Sequence, residues 1–558
     1  MLKRIAFTAI CALLLSAGPC PAKNNTLPDI VPYPASLSLT KGSFNVKGAA
    51  INCDSSLDGE SLAAVGKLAG ALTLTTGKTV AVASTAGLQR TVASGKAKGL
   101  AFWRDPSLGA EAYRIEITPR YVSVSASDRN GFLYAIQTLK QMMPLEVYGR
   151  KPAAAASWKI PCAVIEDKPQ YGWRGMHLDC SRHFFPVREV KRYLDLMAIY
   201  KMNRFHWHLT DDQGWRIELK SYPELTQIGA FRDGSQVSHD ENDIDDVRHG
   251  GYYTQAQIRD VVDYAEKLGI TVVPEVDLPG HMQAVLATYP HLGCTGGPYE
   301  VRKQWGVSED VLCGGKDSSY EFLKNMLEEV ADLFPGEYFH IGGDECPKVR
   351  WEQCPDCQAK IRALGLKGDP TRKNAGPEWA LQTYITGFVS EVLAAKGKKI
   401  IGWDEVLYGG ANGNETIMSW LGMKHAVRAV QQGLHIIACP HPLCYYNYYQ
   451  AKPKDQEPLA IGGYLPLEKA YNFNPMADIP AEYSHLVDGV QANLWGEYLV
   501  SEEVLEYQLL PRMLAASEVE WRDPALKDYQ DFRRRVIARH LPLLELLGYN
   551  YCKAVLEK

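Results

Sequence analysis

An aspartate and a glutamate stand side by side at Asp344-Glu345, behind the apolar run Tyr338-Phe-His-Ile341 and the pair Gly342-Gly343. Two carboxyls held at one site disfavour each other's ionisation, so one of them can keep its proton near neutral pH and act as a general acid. The glycines carry no side chains and would let a ligand come close to the backbone. On its own, Asp-Glu after a strand describes a solvated turn, and it is the other groups in the chain that change this reading. They begin with Arg174 and Asp179, then His206, His208, Asp211 and Asp212, and then Glu275, Asp277 and His281. Trp403 and Asp404, Trp420, Tyr445 and Asn447, and Trp495 and Glu497 follow. Carboxylates and an arginine among indoles suit a sugar: flat rings cover its faces while the charged groups take its hydroxyls.

Two other chemistries compete. His206-Trp-His208 resembles the paired ligands of metal-dependent hydrolases. That reading needs more His or Lys ligands on middle strands, and the segments ending in Trp403-Asp404 and Trp420 are poor in them. A core or supporting role is expected for both histidines. A non-catalytic glycan-binding barrel would keep the tryptophans and lose the acids, yet both acids are present.

Residues so scattered need a scaffold that gathers them. Short apolar segments recur after Tyr171, each ending in polar or aromatic residues: 173–179, 204–211, 270–277, 338–344, 399–404, 417–420, 435–439 and 490–497. Helical stripes separate them, such as Val187, Val190, Leu194 and Met197, and Thr254 with Gln257 forms a capping box ahead of Ile258. Alternating strands and helices imply a parallel sheet, and eight units imply a (β/α)8 barrel with every strand's C-terminal end at one mouth. We assign it to residues 169–558.

Residues 23–168 read as a smaller α+β domain. Tyr113-Arg-Ile-Glu-Ile117 and Tyr121-Val-Ser-Val-Ser125 alternate as a hairpin, and Phe132, Ile136, Leu139 and Met143 mark a helix face. It carries no catalytic constellation, so a packing role is expected. In the barrel, the acidic stretch Asp240–Asp246 has Ile244 where a calcium loop needs oxygen, and reads as a solvated loop.

The 558 residues, 46% hydrophobic and 22% charged, fit a globular chain of more than one domain. A net charge of −5 gives no reason to expect nucleic acid or an anionic membrane as partner. Residues 1–22, with Lys3 and Arg4 before the apolar Ile5–Leu15, read as a signal peptide too short to span a membrane. Export to the periplasm or beyond is expected. Cys20 hints at lipidation, but Pro19 breaks the small-residue pattern. In an exported chain cysteines are disulfide candidates. Cys294 and Cys313 bracket one loop as a pair, and Cys346, Cys354 and Cys357 suggest a second clip. Zinc is the alternative for that trio, but no histidine nearby completes the set.

The motifs themselves resemble a known family. Tyr338-Phe-His-Ile-Gly-Gly-Asp-Glu345, His206-Trp-His-Leu-Thr-Asp-Asp-Gln-Gly-Trp215 and Pro274-Glu-Val-Asp-Leu-Pro-Gly-His281 are similar to those of the family 20 glycoside hydrolases, the β-N-acetylhexosaminidases. Arg174-Gly-Met-His-Leu-Asp179 and Trp495-Gly-Glu497 fit the same family, from about Pro32 to the C-terminus. The resemblance implies a retaining exo-glycosidase that releases terminal β-linked N-acetylglucosamine or N-acetylgalactosamine, with the substrate's 2-acetamido oxygen as nucleophile.

By the same resemblance, Glu345 is the general acid and then base, and Asp344 accepts the acetamido N–H and steadies the oxazolinium. His281 and Asp211 form a relay behind Glu345, while Tyr445 holds the acetamido carbonyl. Trp403, Trp420 and Trp495 wall the pocket, and Arg174 and Glu497 bind ring hydroxyls. The partner is a glycan; no cofactor and no metal are implied, and the oligomeric state is not. One departure is Asn447, where the family commonly has an aspartate contacting the sugar's outer hydroxyls.

Overall fold

The computed structural model describes residues 27–369, 375–408, 410, 413 and 415–556, so the expected signal peptide, with Cys11 and Cys20, lies outside the described residues. The N-terminal part is one seven-stranded mixed sheet. Its centre is the expected hairpin, with Tyr113 opposite Ala126 and Ile117 opposite Val122 in antiparallel register. The helices Gly59–Thr76 and Arg129–Met142 pack against one another, and each turns an apolar stripe inward. Aspartates cap both: Asp58 accepts from the Ser61 N–H and Asp128 from the Gly131 N–H, satisfying amides that the helix leaves unpaired.

The first barrel strand, Trp173–Asp179, follows directly, and the others are Arg204–His208, Thr271–Glu275, Tyr338–His340, Lys399–Trp403, Thr416–Ser419, Ile436–Ala438 and Val487–Ala492. All pair in parallel and the last returns to the first, closing an eight-stranded barrel. The stripe on Val187–Ile199 and the capping box on Gln255–Glu266 are in place. The segment Asp240–Asp246 is a surface loop in which Ile244 bridges back to Gln236.

The N-terminal domain packs beneath the barrel, at the end where strands begin. Glu111 and Tyr134 reach Arg174, and Lys201 Nζ lies 3.2 Å from Asp167 Oδ2 and 2.8 Å from the Tyr113 hydroxyl. The Trp521 indole N–H, from a C-terminal helix, closes on Asp167 at 2.9 Å. The opposite end, where catalytic groups belong, is left open. Among the described residues no helix is long and apolar enough to cross a membrane.

Candidate active site

The mouth is assembled from whatever follows each strand, and its floor is a buried carboxylate. Glu275 ends the third strand inside the barrel, 3.0 Å from His206 Nε2 and 2.9 Å from His340 Nδ1. It accepts the Trp403 indole N–H at 2.9 Å and hydrogen-bonds His208 Nδ1. Both histidines of the second strand therefore face Glu275 inside the barrel. His208 carries the chain upward: its Nε2 is 2.9 Å from Asp211 Oδ2, and Asp211 Oδ1 is 3.0 Å from His281 Nδ1. The outer nitrogen of His281 then lies 3.7 Å from Glu345 Oε2 and 3.9 Å from Asp344 Oδ2.

These contacts set the charges. Burial alone would strip the proton from His281, but Asp211 and Asp277 outweigh it and hold the ring's pKa well above the ordinary imidazole value. Burial raises the Glu345 carboxyl, and the Asp344 anion raises it further, against the His281 cation. Glu345 thus holds its proton more tightly than an ordinary glutamic acid, the bias that general-acid catalysis uses.

The backbone is strained where these groups project. Glu345 sits at φ +44° and His281 at φ +52°, the left-handed region that costs a side-chain-bearing residue about 1–2 kcal/mol. Gly342 and Gly343 also have positive φ. Their lack of a side chain serves the protein's packing rather than a ligand: a Cβ would fall 1.8 Å from Asp277 Oδ1 at Gly342 and 2.5 Å from Val406 at Gly343. The Gly343 N–H donates to Asp277 Oδ1 at 3.0 Å, and Gln382 Nε2 donates to the Gly343 carbonyl at 2.8 Å. Those bonds fix the turn that delivers Asp344 and Glu345.

Aromatic rings line the other side. Trp403 is buried, with its ring centroid 5.8 Å from that of Trp495. Tyr445 stands 6.1 Å from Trp495 and stacks on Trp420 with the planes 14° apart. Asp404 accepts the backbone N–H groups of Trp420 and Leu421, and Glu405 accepts the Trp420 indole N–H at 3.0 Å. Arg182 lies 5.1 Å over the Trp495 ring, 2.8 Å from Asp211 and 3.1 Å from Asp179. Burial lifts Glu497 to about 7 despite Arg182 nearby. Asp344 Oδ1, His281 Nε2, Glu497 Oε2 and Asn447 Oδ1 are buried with no hydrogen-bond partner among the described residues. A ligand or solvent at the mouth would satisfy such atoms.

Comparison with known proteins bears on the chain as a whole. The catalytic-domain profile of glycosyl hydrolase family 20 matches residues 171–524, and that family's domain 2 matches residues 27–168. A beta-hexosaminidase of Porphyromonas gingivalis is 40% identical over 99% of this chain and 68% of its own. One from Akkermansia muciniphila is 31% identical over 80% and 86%. The chain belongs to glycosyl hydrolase family 20. Among solved structures, the family 20 exo beta-N-acetylglucosaminidase of Vibrio harveyi, in complex with N-acetylglucosamine, superposes with a TM-score of 0.79 at 32% identity. It covers 96% of this chain and 80% of that one. Streptomyces plicatus N-acetyl-beta-hexosaminidase gives 0.79 at 29% identity, covering 94% and 96%.

Within this family 20 glycoside hydrolase, one expected site residue lies elsewhere. Arg174 is second in its strand and so lies at the barrel's lower end, where its guanidinium bonds Glu111, Tyr134, and the carbonyls of Tyr171 and Lys201. It cannot bind ring hydroxyls at the mouth. The arginine at the mouth is Arg182, which comes after the strand's C-terminal end. Strand polarity alone would have found it. Glu405, behind Trp420, was likewise not singled out, although it adjoins Asp404 at the end of the fifth strand.

The cysteines also depart from expectation. No described cysteine is in a disulfide. Cys294, Cys313, Cys354 and Cys357 form a single cluster. Cys346 stands apart from it, its thiol directed to the Pro347 carbonyl.

Proposed function

We propose that this chain is a retaining exo-β-N-acetylhexosaminidase that uses the substrate's own acetamido group as nucleophile. The observation that carries this is that Asp344 and Glu345 converge on one nitrogen, His281 Nε2, at 3.9 and 3.7 Å. An enzymic nucleophile and an acid must lie on opposite sides of the glycosidic bond, about 5–5.5 Å apart. Two neighbours reaching the same imidazole stand on one side. Of the other acids by the aromatic wall, Glu497 is raised to about 7 by burial, and burial with the Asp344 charge raises Glu405 well above its ordinary range. Burial thus disfavours in both the charged form that a carboxylate nucleophile needs.

In this reading Glu345, with its side chain 42% exposed at the rim, protonates the leaving oxygen and then deprotonates the attacking water. Asp344 uses its unpartnered oxygen for the acetamido N–H and faces the charge that develops on the ring being formed. Trp403, Trp420 and Trp495 confine that ring, and the Tyr445 hydroxyl holds the acetamido oxygen. The Arg182 guanidinium commits three N–H groups to Asp179, Asp211 and Gln213. Its other two, with Glu497, are assigned to ring hydroxyls. Export rests on the leader pattern of residues 1–22 and belongs to the same proposal.

Release of nitrophenol from β-GlcNAc, β-GalNAc and β-glucose derivatives tests it. Turnover of the acetamido sugars and a loss of several orders of magnitude on the glucoside are expected. Comparable rates on β-glucoside and β-GlcNAc would sink the reading.

A further inference from the structure

The cysteine cluster lies outside the catalytic residues. The sulfurs of Cys294, Cys313, Cys354 and Cys357 all lie within 4.8 Å of one another. The separations are 3.6 Å for Cys313–Cys357, 3.7 Å for Cys313–Cys354 and 3.9 Å for Cys294–Cys357. Four thiolates placed about 2.3 Å from one centre at the corners of a tetrahedron are about 3.8 Å apart along each edge. Two disulfides would instead divide the set into bonded pairs at about 2.05 Å. We propose that these four cysteines hold a structural zinc ion as a tetrathiolate.

The local chain is shaped for that role. Cys354-Pro-Asp-Cys357 is a two-residue spacing at the start of the helix Pro355–Leu364, with Cys354 at its N-cap and Cys357 in its first turn. The positive end of a helix favours thiolates over thiols. Cys313 is followed by two glycines, Gly314 and Gly315. A Cβ on Gly315 would sit 2.1 Å from the Asp356 carbonyl carbon and 2.2 Å from the Cys357 nitrogen. Only glycine lets the two ligand turns meet so closely. Cys294 enters from a third loop, held there by the Cys313 N–H donating to the Leu292 carbonyl at 2.9 Å. Three of the cysteines are buried and Cys294 is partly exposed, which gives a metal its way in.

A closed four-sulfur site does no chemistry and acts by cross-linking. Here it would join the loops that carry the catalytic groups. The Leu312 N–H donates to the Pro279 carbonyl, two residues before His281, at 3.0 Å. The Trp351 indole N–H donates to the Leu312 carbonyl at 2.9 Å, and Arg350 pairs with Asp310 at 2.7 Å. Trp351 and Arg350 lie on the short segment between Glu345 and Cys354. A metal at the cluster would thereby brace the Glu345 loop against the His281 loop.

The test begins with the full chain purified without reductant or chelator. Metal analysis is expected to find about one zinc per chain. Alkylation without reductant should label all four cysteines, but only after unfolding in chelator. Cobalt supplied in place of zinc should give the intense thiolate charge-transfer and tetrahedral ligand-field bands. Cys294→Ser and Cys357→Ser should lose more than half of the zinc and lower the Tm. If those variants do not fold, the wild-type metal content and alkylation count decide alone. A metal-free chain whose unreduced mass is lower by the four hydrogens of two disulfides would overturn the proposal, as would four thiols free to react in the folded, zinc-free protein.

Discussion

Arg174 and Arg182 stand at opposite ends of the first barrel strand, and the clusters around them differ in one respect. Below, Arg174 makes five hydrogen bonds, to the two oxygens of Glu111, the Tyr134 hydroxyl and two carbonyls. Arg174 outweighs the effect of burial on Glu111 and holds that carboxyl below its ordinary range. Above, Arg182 commits only three N–H groups, to Asp179, Asp211 and Gln213, beside unpartnered atoms of Asp344, His281 and Glu497. Strained backbone occurs at both ends, at Glu111 and Lys201 below and at His281 and Glu345 above. Both clusters take charges out of water, which is tolerated only when the charges are matched. The lower one takes up all five N–H groups of Arg174 and joins two domains, although both oxygens of the nearby Glu520 lack a hydrogen-bond partner among the described residues there too. The upper one leaves groups free that the proposed function assigns to a substrate.

Removing a group from the upper cluster should therefore cost activity, most of all at Glu345. Its help matters most for a poor leaving group, so Glu345→Gln should lower kcat/KM on an acetamido disaccharide by about 10²–10⁴-fold. The nitrophenyl glycoside, whose leaving group needs little protonation, should lose far less. Asp344→Asn acts on the acetamido group whatever departs, and should depress both substrates alike by about 10²–10³-fold. Measuring kcat/KM for both substrates in both variants separates the roles. They are reversed if Glu345→Gln hits both equally while Asp344→Asn spares the nitrophenyl sugar.

The two arginines sharpen the contrast directly. Arg182→Lys keeps the charge but loses the planar fork that spans Asp179 and Asp211, and kcat/KM should fall by about 10²-fold with the fold retained. Arg174→Met leaves Glu111 buried without its cation, so unfolding free energy should drop by about 3–5 kcal/mol. Its kcat/KM per folded molecule should stay within about threefold of wild type. Denaturant titration alongside kinetics reads both, and an Arg174→Met enzyme that is stable yet inactive would erase the distinction between the two ends.

Asn447 offers a finer test at the mouth. Its uncharged side chain is expected to tolerate an anionic substituent on the sugar better than a carboxylate would. Asn447→Asp should reduce the ratio of efficiencies on 6-sulfated and plain β-GlcNAc by about tenfold. An unchanged ratio would mark the substitution as neutral.

Much of this was legible in the sequence because strand ends announce themselves. Each barrel segment is an apolar run closed by polar or aromatic residues, and all eight fall on observed strands. Asp344, Glu345, His281 and Asp211 were legible for the same reason. Arg174 was misplaced because its motif was read as a block, without asking which end of a seven-residue strand its second residue occupies. The cysteines misled for another reason. Cys294 and Cys313 are near in sequence, but their neighbours in space, Cys354 and Cys357, come from the loop after the next strand. Only the closed barrel brings those loops together. The glycines before Asp344 read as room for a ligand, because Asp277 and Val406, which crowd them, follow other strands and their nearness is not visible in the sequence.

The smallest effect expected is a displacement on the pH axis, and it follows from the sign of one interaction. Bond cleavage requires Glu345 protonated, so kcat/KM on the disaccharide should fall as pH rises through the Glu345 pKa. Burial raises that pKa first, the Asp344 anion raises it further, and the His281 cation pulls it down. Asp344→Asn removes the anion and leaves the other two influences in place. Glu345 then loses its proton at lower pH, so the basic limb of the residual profile should move to the acid side. The same variant removes an anion that helps keep His281 charged. A less charged imidazole would pull less on Glu345 and oppose the shift. The direct contact between neighbouring residues comes ahead of that indirect one, because Asp211 and Asp277 still hold the His281 proton. A basic limb that stays in place or moves to higher pH in Asp344→Asn would mean that Asp344 does not tune the acid and serves the acetamido group alone.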